Sequence, residues 1–109
     1  MYLYTCKVIR VIDGDTVALE VNLGFNISIR ERFRLLGIDA PEVRGDTRNE
    51  GLASKEFLEQ ILKKQTNLTV KTEKNKGSFG RWLGVLYGDK NLNIVRILVE
   101  NGHAIWKDY

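Results

Sequence analysis

From Cys6 to Leu35 apolar and polar residues largely alternate, and a period of two predicts extended chain rather than helix. Cys6–Ile12 is rich in β-branched apolar side chains and reads as a first strand. Asp13-Gly14 is a hairpin-type turn dipeptide. Beyond it Val17, Leu19, Val21 and Leu23 alternate with Ala18, Glu20 and Asn22, which predicts a half-buried second strand. Gly24 turns the chain again. Phe25, Ile27, Ile29, Phe33 and Leu35 then share one parity, interrupted by Glu31, while Asn26, Ser28, Arg30, Arg32 and Arg34 share the other. Three strands in a meander are expected.

The period then changes. Val43–Glu50 is polar, charged and glycine-containing, and reads as a surface loop. Leu52, Ala53, Phe57, Leu58, Ile61 and Leu62 recur at helical spacing, with Lys55, Glu56, Glu59 and Lys63 facing away. Thr47 with Glu50 fits a capping box, although Gly51 blurs the start. Asn67–Thr72 reads as a fourth strand, Lys74–Gly80 as a basic loop and Trp82–Tyr87 as a fifth strand. A short helix follows, with Ile94, Ile97 and Leu98 on one face and Gly102 as its stop. This order predicts a mainly β chain with some α: a closed or partly closed five-stranded barrel, plugged by the longer helix, with a short helix near the end. Neither repeat nor linker is visible, so residues 1–109 read as a single domain.

Composition narrows the chemistry. The single Cys6 excludes an internal disulfide and a cysteine zinc cage, and the lone His103 excludes paired-histidine metal sites. Any metal would have to be hard and oxygen-ligated. Lys and Arg outnumber Asp and Glu by 17 to 14, a mild positive excess compatible with a polyanionic partner but not diagnostic of one. No apolar run approaches the ~20 residues of a membrane span, and no signal peptide is evident. The compartment is therefore expected to be cytoplasmic unless the chain is processed or trimmed.

Three carboxylates stand out. Asp15 follows the first turn, and Asp39 and Glu42 flank Ala40-Pro41 just beyond the third strand. Taken singly, each element is ordinary turn or corner chemistry. In a meander, however, the two can converge at one end of the sheet, where carboxylates plus a main-chain oxygen suit Ca²⁺ or Mg²⁺. Arg34 lies just before that corner, and Arg81 follows a glycine-rich stretch. A guanidinium forks onto phosphate oxygens, so arginines beside a hard-metal site point to phosphoryl chemistry. Arg30 and Arg32 read as a solvated face. Lys63, Lys64, Lys71, Lys74 and Lys76 could steer a polyanion, or simply solubilise the surface. Cys6 reads as a small strand residue, His103 as a packed or surface residue, and Trp82 and Trp106 as core or half-buried aromatics. Phe79 and Tyr87 could stack bases, although aromatics in β proteins usually pack.

Four motifs carry a family resemblance: Val11-Ile-Asp-Gly-Asp-Thr-Val17, Arg32-Phe-Arg-Leu-Leu-Gly-Ile-Asp-Ala-Pro-Glu42, Phe79-Gly-Arg-Trp-Leu-Gly84 and Leu98-Val-Glu-Asn-Gly-His-Ala104. The chain resembles the staphylococcal nuclease-like (thermonuclease) family over nearly its full length. The resemblance implies an OB-fold barrel and a Ca²⁺-dependent nuclease acting on DNA and RNA, with Mg²⁺ as the alternative ion. It implies metal binding by Asp15, Asp39 and the main-chain carbonyl of Ala40, phosphate binding by Arg34 and Arg81, and Glu42 as general base or water-positioning residue. The implied products are 3′-phosphate ends, and a monomer is expected.

The chain departs from the staphylococcal enzyme at Ala40, where that protein has threonine, and at Gly77 and Phe79, where acidic and tyrosine residues are frequent. It also ends before the C-terminal helix of that enzyme, whose base-stacking tyrosines have no clear match here. Two alternatives stay open from sequence: a non-catalytic OB-fold module that binds nucleic acid, and a protein-interaction domain.

Overall fold

The computed structural model describes residues 2–76 and 82–107. Strands β1 (Tyr2–Asp13), β2 (Thr16–Gly24) and β3 (Ile27–Leu35) form the expected meander. A two-residue strand, β4 (Ile38–Asp39), leads through a 3₁₀ turn to helix α1 (Arg48–Lys63). Strands β5 (Leu68–Lys76) and β6 (Trp82–Tyr87), helix α2 (Ile94–Glu100) and the short strand β7 (Ile105–Trp106) complete the order. Five strands close into a barrel in the order β1-β2-β3-β6-β5, every pair antiparallel except β3 with β6.

Closure depends on β1, which begins four residues earlier than its apolar run suggests. Its first half, Tyr2 to Cys6, pairs with β5, while Cys6 to Asp13 pairs with β2, so one strand serves two neighbours. The register slips between Val8 and Arg10 and again between Val11 and Asp13, each time by one extra residue on β1. Such bulges bend a strand and re-aim its side chains. The first lets both Val8 and Val11 turn inward while Ile9 stays exposed. The second sits immediately before Asp13.

Val17, Leu19, Val21, Phe33, Leu35, Val70 and Leu86 fill the barrel, and Leu58 and Leu62 of α1 join the same core, as do Ile94, Val95 and Leu98 of α2. The apolar parity of β2 and β3 is only half buried. Leu23, Phe25, Ile27 and Ile29, toward the hairpin tip, are exposed because that end projects beyond the barrel. Both helices occur where their periodicity places them, yet α1 buries Gly51 and Ser54 rather than Ala53 on its first turns. The capping box does not form: Thr47 is the N-cap residue but makes no cap bond, and its hydroxyl donates to the carbonyls of Glu42 and Arg44. At α2 the Asn93 side chain accepts from the Arg96 amide. Gly102 stops that helix at φ +77°, its amide donating to Val99 and the His103 amide to Leu98, a Schellman ending.

Candidate functional site: an acid–arginine corner

Four short segments meet at one end of the barrel. Gly14 and Asp15 form the β1–β2 turn between the paired Asp13 and Thr16. Gly14 is needed there for proximity: a Cβ at this position would lie 2.7 Å from that of Ser54 on α1 and 3.1 Å from that of Ala40. The turn is thereby pressed onto α1 and onto the corner after β4. That corner is itself held from behind, since β7 pairs with β4 (Ile38 opposite Trp106, Asp39 opposite Ile105) and the Lys107 amide donates to Gly37. Ser54 ties α1 to the approach to β7 by donating to the His103 carbonyl, and the His103 ring stacks on Phe57 at 4.3 Å.

The converging side chains are Asp15, Arg34 and Asp39. Asp15 is only 4% exposed. Its Oδ1 accepts from the Thr16 hydroxyl at 3.0 Å and its Oδ2 from the Ala40 amide at 2.9 Å. Arg34 Nη2 stands 3.3 Å from Asp15 Oδ2, donates to Asp39 Oδ1 at 3.0 Å and to the Ile38 carbonyl at 3.2 Å. Lys107 Nζ approaches the other Asp39 oxygen at 3.7 Å. Burial raises the Asp15 carboxyl above its ordinary value, while the Ala40 amide, the Arg34 guanidinium and the Thr16 hydroxyl pull it down and the nearby Asp39 charge adds to the rise. Desolvation outweighs the three lowering contacts.

Arg34 also lines an open cleft of about 700 Å³ with Asp13, Thr16, Arg32, Glu42 and Arg44. Glu42 is exposed there and pairs with Arg44 Nε at 2.9 Å. Its backbone rests on α1 at Gly51, where a Cβ would run into the Glu42 carbonyl. The Val43 amide is drawn toward Asp13 Oδ1 at 3.3 Å. Asp15 and Asp39 do not line this cleft; they touch Arg34, which does.

Of the residues singled out from sequence, Asp15, Arg34, Asp39 and the Ala40 backbone come together, and Glu42 faces the cleft that Arg34 lines. Arg81 lies outside the described residues. Four further polar residues line the cleft: Asp13, which the sequence assigns to the turn, Arg32, which it assigns to a solvated face, and Thr16 and Arg44, which it does not single out. Only Arg32 carried a signal, its shared parity with Arg34 on β3.

Among the described residues no three carboxylate, histidine or cysteine side chains cluster closely enough to make a metal cage by themselves. The donor set nonetheless fits a hard divalent cation. It offers two carboxylates that meet at Arg34, one of them buried, and carbonyl and water oxygens can complete such a shell.

Barrel and corner together define a class, an OB-fold barrel bearing an acid–arginine site at one end. The family model described as staphylococcal nuclease homologue matches residues 32–109, and the chain belongs to that family. It is 31% identical to endonuclease YhcR of Bacillus subtilis, over 87% of this chain and 8% of that protein. It is 31% identical to an uncharacterized endonuclease of Escherichia coli O157:H7, over 94% of this chain and 61% of that one. It is 34% identical to micrococcal nuclease of Shigella flexneri, over 90% and 55% respectively. The chain thus spans less than two thirds of the length of these relatives. Among the described residues no helix is long and apolar enough to cross a membrane.

Proposed function

We propose that this chain is a divalent-metal-dependent nuclease, hydrolysing phosphodiester bonds in DNA and RNA with Ca²⁺ as its ion. The observation that carries the reading is the placement of Asp15 and Asp39 on the guanidinium of Arg34, beside a cleft into which Glu42 projects. Membership of the nuclease family and its endonuclease and micrococcal nuclease relatives support the same class.

Asp15, Asp39 and the Ala40 carbonyl would hold the cation, which when bound supplies positive charge against the phosphate oxygens. Arg34 works beside it: a guanidinium is charged at every working pH and forks onto two oxygens of a phosphate, where negative charge grows as water adds to phosphorus. Arg81 is proposed as the second such group. Glu42 takes a proton from the attacking water or orients it, the new P–O bond forms, and the P–O5′ bond breaks to leave a 3′-phosphate and a 5′ oxygen that takes up a proton from solvent water as the 5′-hydroxyl. Glu42 must first leave Arg44. Both side chains are largely exposed (60% and 81%), and exposed pairs contribute little, so release is cheap.

The test is digestion of plasmid, single-stranded DNA and RNA with Ca²⁺, with Mg²⁺ and with chelator. Cutting with Ca²⁺ and none with chelator is expected. Binding without cutting under every metal condition overturns the reading in favour of a binding module.

A further inference from the structure

Arg30, Arg32 and Arg34 point to one face of β3, two residues apart, and their circumstances differ. Arg30 is paired with Glu20 at 3.1 Å, away from the cleft. Arg34 is held by Asp15 and Asp39. Arg32 lines the cleft next to Arg34, is exposed, and among the described residues its side chain has no carboxylate or hydrogen-bond partner. Its cross-strand neighbour on β2 is Ala18, too short to cover it. Of the three arginines that line the cleft, Arg34 and Arg44 are paired with carboxylates and Arg32 is not, so Arg32 is the cation this cleft offers an anionic ligand without first breaking an ion pair.

Resting on the nuclease reading, we infer that Arg32 is a specificity-determining residue that grips the phosphate adjacent to the one being cut. Two residues of strand span about 6.7 Å, close to one repeat of an extended polynucleotide backbone. Arg34 and Arg32 are therefore spaced for consecutive phosphates of one strand. The substrate class this selects is a strand with at least two successive phosphodiesters, in preference to an isolated ester.

The experiment is equilibrium binding of a fluorescein-labelled single-stranded oligonucleotide, read by anisotropy in chelator so that nothing is cut. Single neutral methylphosphonate linkages are walked along the strand. Arg32→Ala is expected to weaken binding about tenfold and to lower the slope of log K against log salt by about 0.7, the loss of one phosphate contact. It should also become indifferent to one of the neutral linkages that weaken the unsubstituted protein, while keeping its response to the linkage next to it. Arg30→Ala, an equal charge change on the same face, should stay within about twofold.

Equal losses for Arg30→Ala and Arg32→Ala, an Arg32→Ala loss independent of which linkage is neutral, or no binding by the unsubstituted protein overturns the inference. A protein that binds in this pattern yet cuts nothing with any metal overturns the nuclease reading alone.

Discussion

Arg34 and Asp15 form an ion pair at 3.3 Å in which the arginine side chain is 17% exposed and the aspartate 6%. The pair joins two ends of the meander, the first turn and the end of β3, and Asp39 completes it from the following corner. Removing one partner of a sheltered pair leaves the other charge without its counter-ion. Arg34→Ala is expected to lower stability by about 3 kcal/mol in urea unfolding, because Asp15 would remain buried beside Asp39. Arg34→Lys should recover part of that stability, since the charge is kept, but little cleavage, since the fork is lost. A change below about 0.5 kcal/mol for Arg34→Ala would show the pair to be energetically idle.

Gly51 separates two effects that usually travel together. In a helix interior Gly→Ala gains about 1 kcal/mol of propensity. Here the new Cβ would meet the Glu42 carbonyl, a backbone atom that cannot swing aside, so overpacking of about 1–3 kcal/mol outweighs the gain. Gly51→Ala should therefore be mildly destabilised while losing cleavage at least tenfold, because the displaced segment carries Glu42. A stabilised variant with full activity would contradict this placement.

Periodicity made much of the barrel legible. The five barrel strands and both helices occur in the expected order. However, β1 begins four residues before its apolar run, and β5 continues to Lys76, into the segment that reads as the basic loop Lys74–Gly80, because pairing with β6 holds polar residues in the strand. The convergence of Asp15 with Asp39 followed from meander topology, because a turn and the end of the third strand must share one end of the sheet. What escaped has physical reasons. A two-residue strand has no period, so β4 and β7, which clamp Asp39, left no pattern in Ile38 or Trp106. Bulges break the alternation on which strand reading depends, and β1 carries two. Thr47 satisfied a motif but spent its hydroxyl on Glu42 and Arg44, an exchange set by tertiary contact. Arg32 and Arg44 looked like solvated charge because exposure alone does not say which cleft a side chain lines.

Asp89 gives a pH signature remote from the site. The amides of Thr66 and Asn67 both donate to it at 2.8 Å, and these bonds hold its carboxyl below the ordinary 3.8. A depressed folded value means that the unfolded chain takes up the proton first. The stabilisation is therefore complete above 3.8 and is lost as the pH falls through the lower folded value. Melting temperature should consequently fall less between about pH 6 and pH 2.5 in Asp89→Asn than in the unsubstituted protein. Parallel curves would remove Asp89 from the acid response.

Cys6 is buried in the barrel wall, and burial pushes its thiol up to about 12. At about pH 8 only ~1 in 10⁴ molecules would carry the thiolate. A disulfide reagent should therefore leave the native protein untouched over hours and react at once in denaturant. Fast labelling of the folded chain would mean that the strand carrying Cys6 opens readily.

The rate of cleavage of a labelled oligonucleotide by Glu42→Gln, in saturating Ca²⁺ and set against the unsubstituted protein, bears most directly on the proposed chemistry. Gln keeps the shape of the side chain and its reach toward Arg44 while removing the carboxylate that accepts a proton. A fall of about 10²–10⁴-fold in kcat with substrate binding retained is the expected result. Cleavage by Glu42→Gln at the rate of the unsubstituted protein would contradict the assignment of Glu42.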